Sequence, residues 1–95
     1  MIQFRILSEA LQDLANAVQY YETECPGLGA DFLSEYERTI SRIRHFPEAW
    51  SPINANLRRC LLRRFPYAVF YSKEGNMIVI SAVSDLRRDP EKLPQ

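Results

Sequence analysis

Apolar and polar residues alternate at the start of the chain, where Ile2, Phe4 and Ile6 interleave with Gln3 and Arg5, the period-two signature of a strand with one buried face. The period then lengthens. Leu11, Leu14, Ala15, Val18 and Tyr21 recur every three or four positions and predict a helix over about 9–24, with Ser8 as N-cap and Glu9 at the positive end of the helix dipole. Cys25-Pro26-Gly27 ends it, because proline excludes helical geometry in the residue before it and glycine permits a sharp reversal. A second stripe of Leu28, Phe32, Leu33, Tyr36, Ile40 and Ile43 follows, with Glu35, Glu37, Arg38, Ser41 and Arg42 largely on the outer side, and Phe46-Pro47 closes it. The connecting turn is so short that the two helices must form an antiparallel hairpin, about 9–46, packed on a sheet.

Residues 47–56 carry two prolines and two asparagines and read as a loop with Trp50 tucked against the body. Three runs of β-formers come next, 57–64, 67–72 and 77–83, parted by Phe65-Pro66 and by the hairpin signal Lys73-Glu74-Gly75-Asn76. They predict a three-stranded meander over about 57–84. The fold class is therefore α+β, in the order β-α-α-β-β-β, with a helical hairpin on one face of a mainly antiparallel sheet. At 95 residues, 46% hydrophobic and 25% charged, the chain is expected to be one folded domain, 1–95.

Several function classes lose support at this point. No apolar run approaches the about 18 to 20 residues of a membrane span, and Met1-Ile2-Gln3-Phe4-Arg5 lacks a signal peptide's order, so a cytoplasmic location is expected. Cys25 and Cys60 are too few for a disulfide framework and are expected as thiols. With His45 alone and no C-x-x-C spacing, no metal site is expected, and with every glycine in a turn context, no phosphate-cradling loop. No cofactor is predicted. His45, at the end of the second helix, reads as a partner of free carbonyls, and Cys60 as a core residue.

Charge is balanced overall but segregated along the chain. Residues 1–37 set seven acids against Arg5, whereas residues 38–64 set seven arginines against Glu48. Ten of the twelve cations are arginine, the side chain suited to bidentate pairing with carboxylate or phosphate. Two readings stay open: acidic helices that neutralise a basic sheet, or a basic surface for a phosphate-rich or acidic partner. The pairs Arg58-Arg59, Arg63-Arg64 and Arg87-Arg88, interleaved with Tyr67, Phe70 and Tyr71, predict an open-face strip of arginines and aromatics. Zero net charge argues against strong sequence-independent binding of nucleic acid.

The ordered set Asp13-Leu14, Tyr20-Tyr21-Glu22, Pro26-Gly27-Leu28-Gly29, Phe32-Leu33, Phe46-Pro47, Arg63-Arg64-Phe65-Pro66-Tyr67 and Arg87-Arg88-Asp89-Pro90 resembles the ParE/RelE toxin superfamily of type II toxin-antitoxin systems, which includes plasmid stabilisation proteins. The resemblance spans nearly the whole chain and implies a toxin silenced by a cognate antitoxin protein. It also implies one of two activities. RelE-like relatives are ribosome-dependent mRNA endonucleases, for which Arg59, Arg64, Arg87 and Arg88 would be the catalytic candidates; ParE-like relatives poison DNA gyrase. Ala68 stands where the nucleases tend to carry arginine, no tyrosine follows Pro90, and Asp85 stands where many relatives show histidine. The Pro-Gly-Leu-Gly and Arg-Arg-Phe-Pro-Tyr elements lean to the ParE-like side. Under that reading Arg58, Arg59, Arg63, Arg64, Tyr67, Tyr71, Arg87 and Arg88 are expected to meet the target or the antitoxin.

Overall fold

The computed structural model describes residues 2–87. Strand β1 (Gln3–Ile6) leads into helix α1 (Ser8–Glu24), then α2 (Leu28–His45), β2 (Ser51–Pro52), β3 (Arg58–Leu61), β4 (Tyr67–Glu74) and β5 (Met77–Asp85). The five strands form one sheet in the order β1-β5-β4-β3-β2, parallel between β1 and β5 and antiparallel elsewhere. Two-residue β2, inside the expected loop, is the one unforeseen strand: Ser51 and Pro52 pair with Arg59 and Arg58.

The helical hairpin covers the face carrying Cys60, Val69, Tyr71, Ile78, Ile80 and Val83. Both helices are rolled about their axes from the predicted orientation. On α1 the fully buried positions are Ala10, Ala17 and Tyr21, while Leu11 is 50% exposed. On α2 they are Gly29, Phe32, Glu35, Tyr36, Thr39 and Ile43, while Leu33 is 40% exposed. Small residues explain the roll, since Ala10, Ala17 and Gly29 let backbones approach where leucine would hold them apart. A Cβ on Gly29 would lie 2.8 Å from the Val18 carbonyl oxygen.

Ser8 is not the N-cap. Leu7 takes that position, its N–H donating to Ile80 O (3.0 Å) and its carbonyl accepting from Leu11 N–H (3.0 Å), so strand passes into helix through this one residue. The hydroxyl of Ser8 donates instead to Glu9. In β5 the register slips opposite Phe70 and Tyr71, which face Ala82 and Ile80, leaving Ser81 as the extra residue of a bulge. The Ser81 hydroxyl donates to Phe70 O (3.2 Å), and Val83 N–H donates to Asp13 Oδ2 on α1 (3.0 Å). Helix and bulge are thereby locked in one register.

Candidate functional site

Four pieces of chain meet at one end of the molecule: the close of α1, the opening of α2, the turn before β4 and the close of β5. Tyr67 opens β4 opposite Asp85, which closes β5. Around them the rings of Tyr21, Phe32, Phe65 and Tyr67 form a buried plug, with centroids 4.8 Å apart for Tyr21–Phe65 and 4.9 Å for Phe32–Tyr67, mostly edge to face as the ring quadrupoles favour. Tyr21 also stacks on Phe32 at 5.4 Å. The Tyr21 hydroxyl is buried without a hydrogen-bond partner.

Two half-exposed arginines flank this plug. Arg64 lies over the Phe65 ring (5.5 Å) and pairs with Asp31 of α2 at 3.6 Å. Arg87 lies over Tyr20 (5.6 Å) and Tyr21 (6.0 Å) and is gripped by Asp85, Nε to Oδ1 and Nη2 to Oδ2 both at 3.1 Å, with its own backbone N–H donating to Oδ1 at 2.9 Å. Donation to the Asp85 carboxylate above all holds the Arg87 guanidinium more firmly protonated than usual. Burial, then the Asp85 charge, pushes the Tyr67 phenol up to about 12, and burial raises Tyr21 as well. An incoming anion meets two unequal cations. The Arg64–Asp31 pair is half-exposed on both sides and worth at most about 1 kcal/mol, so it exchanges readily, whereas Arg87 is held by a two-point fork.

The remaining candidates do not join a single strip. Arg58 and Arg59 are neighbours in β3 and face opposite ways. Arg58 lies on the helix side and donates to Trp50 O (2.8 Å) and Glu48 O (3.2 Å), while Arg59 lies on the far face in register with Phe70. Arg63 offers its backbone N–H to Glu35 Oε2 (2.8 Å) and leaves its side chain exposed. Tyr67 and Tyr71 belong to the core, Tyr71 donating its hydroxyl to Pro47 O (2.6 Å). The expected open face of arginines interleaved with these tyrosines is thus corrected: strand alternation sends both rings beneath the helices. Arg88 lies outside the described residues. His45 keeps the role expected of it, its Nδ1 lying 2.8 Å from Ser41 O in the last turn of α2. Cys60 is buried, and burial raises its thiol. Among the described residues no cluster of side chains could hold a metal.

Three carboxylates to which the sequence assigned no role in the site, Glu22, Glu35 and Asp13, brace the elements around it. Both oxygens of Glu22 accept from Gly27 N–H (3.1 Å each), and Oε1 accepts from Gly29 N–H (3.1 Å). This caps the N-terminus of α2, where free N–H groups and the dipole favour an anion. Gly27 at φ 92 supplies the left-handed turn into it. Glu35, only 2% exposed, accepts from Arg63 N–H and pairs with Arg38 (3.5 Å) and Arg42 (3.6 Å). Asp13 holds the β5 bulge. The signal for Glu22 was its place three residues before the Cys-Pro-Gly break; for Glu35 it was its place in the stripe Leu28, Phe32, Glu35, Thr39, Ile43.

Two helices on this mixed sheet are the architecture of a solved structure titled "Chromosomal ParDE TA system from P. aeruginosa", which superposes with a TM-score of 0.68 at 14% identity over 90% of this chain and 97% of that one. No curated protein sequence matches the chain. The sequence profile described as "ParE toxin of type II toxin-antitoxin system, parDE" matches residues 4–90, and the chain belongs to that family. No described helix is long and apolar enough to cross a membrane.

Proposed function

We propose that this chain acts in the cytoplasm as the growth-inhibiting toxin of a type II toxin-antitoxin pair, binding DNA gyrase and neutralised by its cognate antitoxin. The observation that carries the reading is the arginine-flanked aromatic plug. The elements Tyr20-Tyr21-Glu22, Pro26-Gly27-Leu28-Gly29 and Arg63-Arg64-Phe65-Pro66-Tyr67 converge there, with Arg87 beside them, and turn cations outward from a rigid base. Binding needs only such a presented surface. A nuclease needs cations brought together on one scissile phosphate, and Arg59 on the far face, Arg87 gripped by Asp85 and the Ala68 position give that reading less support.

The test is a supercoiling assay with purified gyrase. The chain is expected to inhibit at micromolar concentration, and Arg64→Ala combined with Arg87→Ala to lose inhibition while keeping a cooperative melt. Supercoiling untouched by the wild-type chain would refute gyrase as the target. Prompt collapse of labelled-methionine incorporation after induction would move the target to the ribosome and its mRNA.

A further inference from the structure

Arg64 and Arg87 are held in unlike ways, and the difference bears on what each can meet. Arg87 is fixed by its own strand end, with Nε and Nη2 donating to Asp85 at 3.1 Å each, its backbone N–H at 2.9 Å, and its guanidinium over the Tyr20 ring. Arg64 reaches Asp31 at one point, 3.6 Å away, farther than the about 2.7–2.9 Å of a charge-assisted hydrogen bond. Both side chains of that pair are 52% exposed, so most of the N–H donors of Arg64 stay open to solvent beside the Phe65 ring.

The surroundings select among anions. Among the described residues this end of the molecule carries Glu22, Glu24, Asp31 and Asp85 against Arg63, Arg64 and Arg87. Duplex DNA presents one negative charge per about 1.7 Å of its axis. Laid across this end, it would set phosphates against carboxylates as often as against arginines. A single carboxylate on a protein segment needs only one guanidinium free to grip it at two points. Arg64 meets that need once Asp31 lets go. The release costs little, because Asp31 lies in the first turn of α2, where the helix dipole favours its charge with or without Arg64.

We propose that Asp31 holds the place of a carboxylate of gyrase: on binding, Arg64 exchanges Asp31 for an aspartate or glutamate side chain of the target protein and grips it side-on. Arg87, locked by Asp85, keeps its partner and forms the rigid flank. This rests on the reading of the chain as a gyrase binder. In the free chain the internal pair competes with the target, and in the interface, where water is excluded, the new pair is the stronger one. Asp31 thereby moderates the affinity of the chain that carries it.

The test is calorimetric titration of the chain into purified gyrase without DNA, and into a duplex fragment alone. Asp31→Asn frees Arg64 and is expected to tighten binding to gyrase, by at most about fivefold, since an exposed pair competes no more strongly than that. Arg64→Gln breaks the same pair from its other end and is expected to weaken binding about tenfold. With Arg64→Gln in place, Asp31→Asn brings no further gain. A pair with only a structural role would move both single variants in the same direction. Equal or weaker binding by Asp31→Asn, with its cooperative melt intact, would overturn the exchange and leave gyrase standing as the target. Binding that needs the duplex, or that the duplex alone supports, would overturn it in favour of phosphate. A wild-type chain that binds neither gyrase nor duplex would sink the gyrase reading and the exchange with it.

Discussion

Glu35 offers a demanding test of how this fold is held. Its carboxylate is buried on α2, and burial taken alone would raise its pKa; the Arg63 N–H bond at 2.8 Å, with Arg42 and Arg38 nearby, outweighs that effect and holds it below the usual carboxylate value. Replacing Glu35 by alanine orphans the Arg63 N–H and strands Arg42, whose side chain is 16% exposed, without its anion. Losing one partner of a fully buried pair costs about 3–5 kcal/mol. Because both arginines reach water in part, about 3 kcal/mol is expected here, or roughly 15 °C in Tm for a domain of this size. Glu35→Gln keeps an acceptor but loses the charge, at about 1–2 kcal/mol. The pH dependence has a definite sign. A carboxyl whose folded pKa lies below its unfolded value adds stability that is complete above the unfolded value and fades as pH falls through the folded one. Thermal melts of wild type and Glu35→Gln should therefore differ at neutral pH and converge in acid below about 4. A gap of constant size from neutral pH into strong acid would refute the electrostatic account, and equal melting temperatures at pH 7 would refute the whole assignment.

Other perturbations give separate checks. Glu22→Ala removes the anion that caps α2 and should cost about 1 kcal/mol by denaturant midpoint, with Glu22→Gln in between. Gly29→Ala sets a methyl against the Val18 carbonyl and the Glu22 side chain and should cost about 1–3 kcal/mol by forcing the hairpin apart. Tyr71→Phe loses the 2.6 Å bond to Pro47 O and about 1 kcal/mol. Burial pushes the Tyr67 and Tyr71 phenols up to about 12 and raises Tyr21 and Tyr36 as well, so ultraviolet titration should find these four phenols ionising late. Their contribution to stability is whole below about 10 and is lost as pH climbs towards 12.

The periodicities were enough to read the layer order. Helix α1 runs from Ser8 rather than 9, α2 ends at His45, and the three late strands lie within two or three residues of their predicted bounds. What a one-dimensional pattern could not contain was the roll of each helix. Leu11 and Leu33 look like core residues by hydropathy alone, yet alanine and glycine set the closest approach and turn them outward. The arginine strip dissolved for a related reason: Arg58 and Arg59 part to opposite faces, as strand alternation requires, but Tyr67 and Tyr71 fall on the helix side and leave the open face without them. Glu35 was placed outside because it is charged, although its spacing from Phe32 and Thr39 put it on the buried stripe. Its partners, an amide 28 residues away and two arginines on its own helix, exist only in the fold.

The strand that begins the chain lies beside the strand that ends the described part of it, and Asp13 reaches an amide 70 residues further on. A chain emerging from the ribosome can wind its helical hairpin early, yet β1 has no partner until Met77–Ile80 have been made. Completion of the sheet thus waits on a segment more than 70 residues downstream of β1. Messages truncated before that point would yield fragments lacking both the β5 partner of β1 and the Asp85–Arg87 fork, so a host that arrests translation partway is expected to release no working toxin.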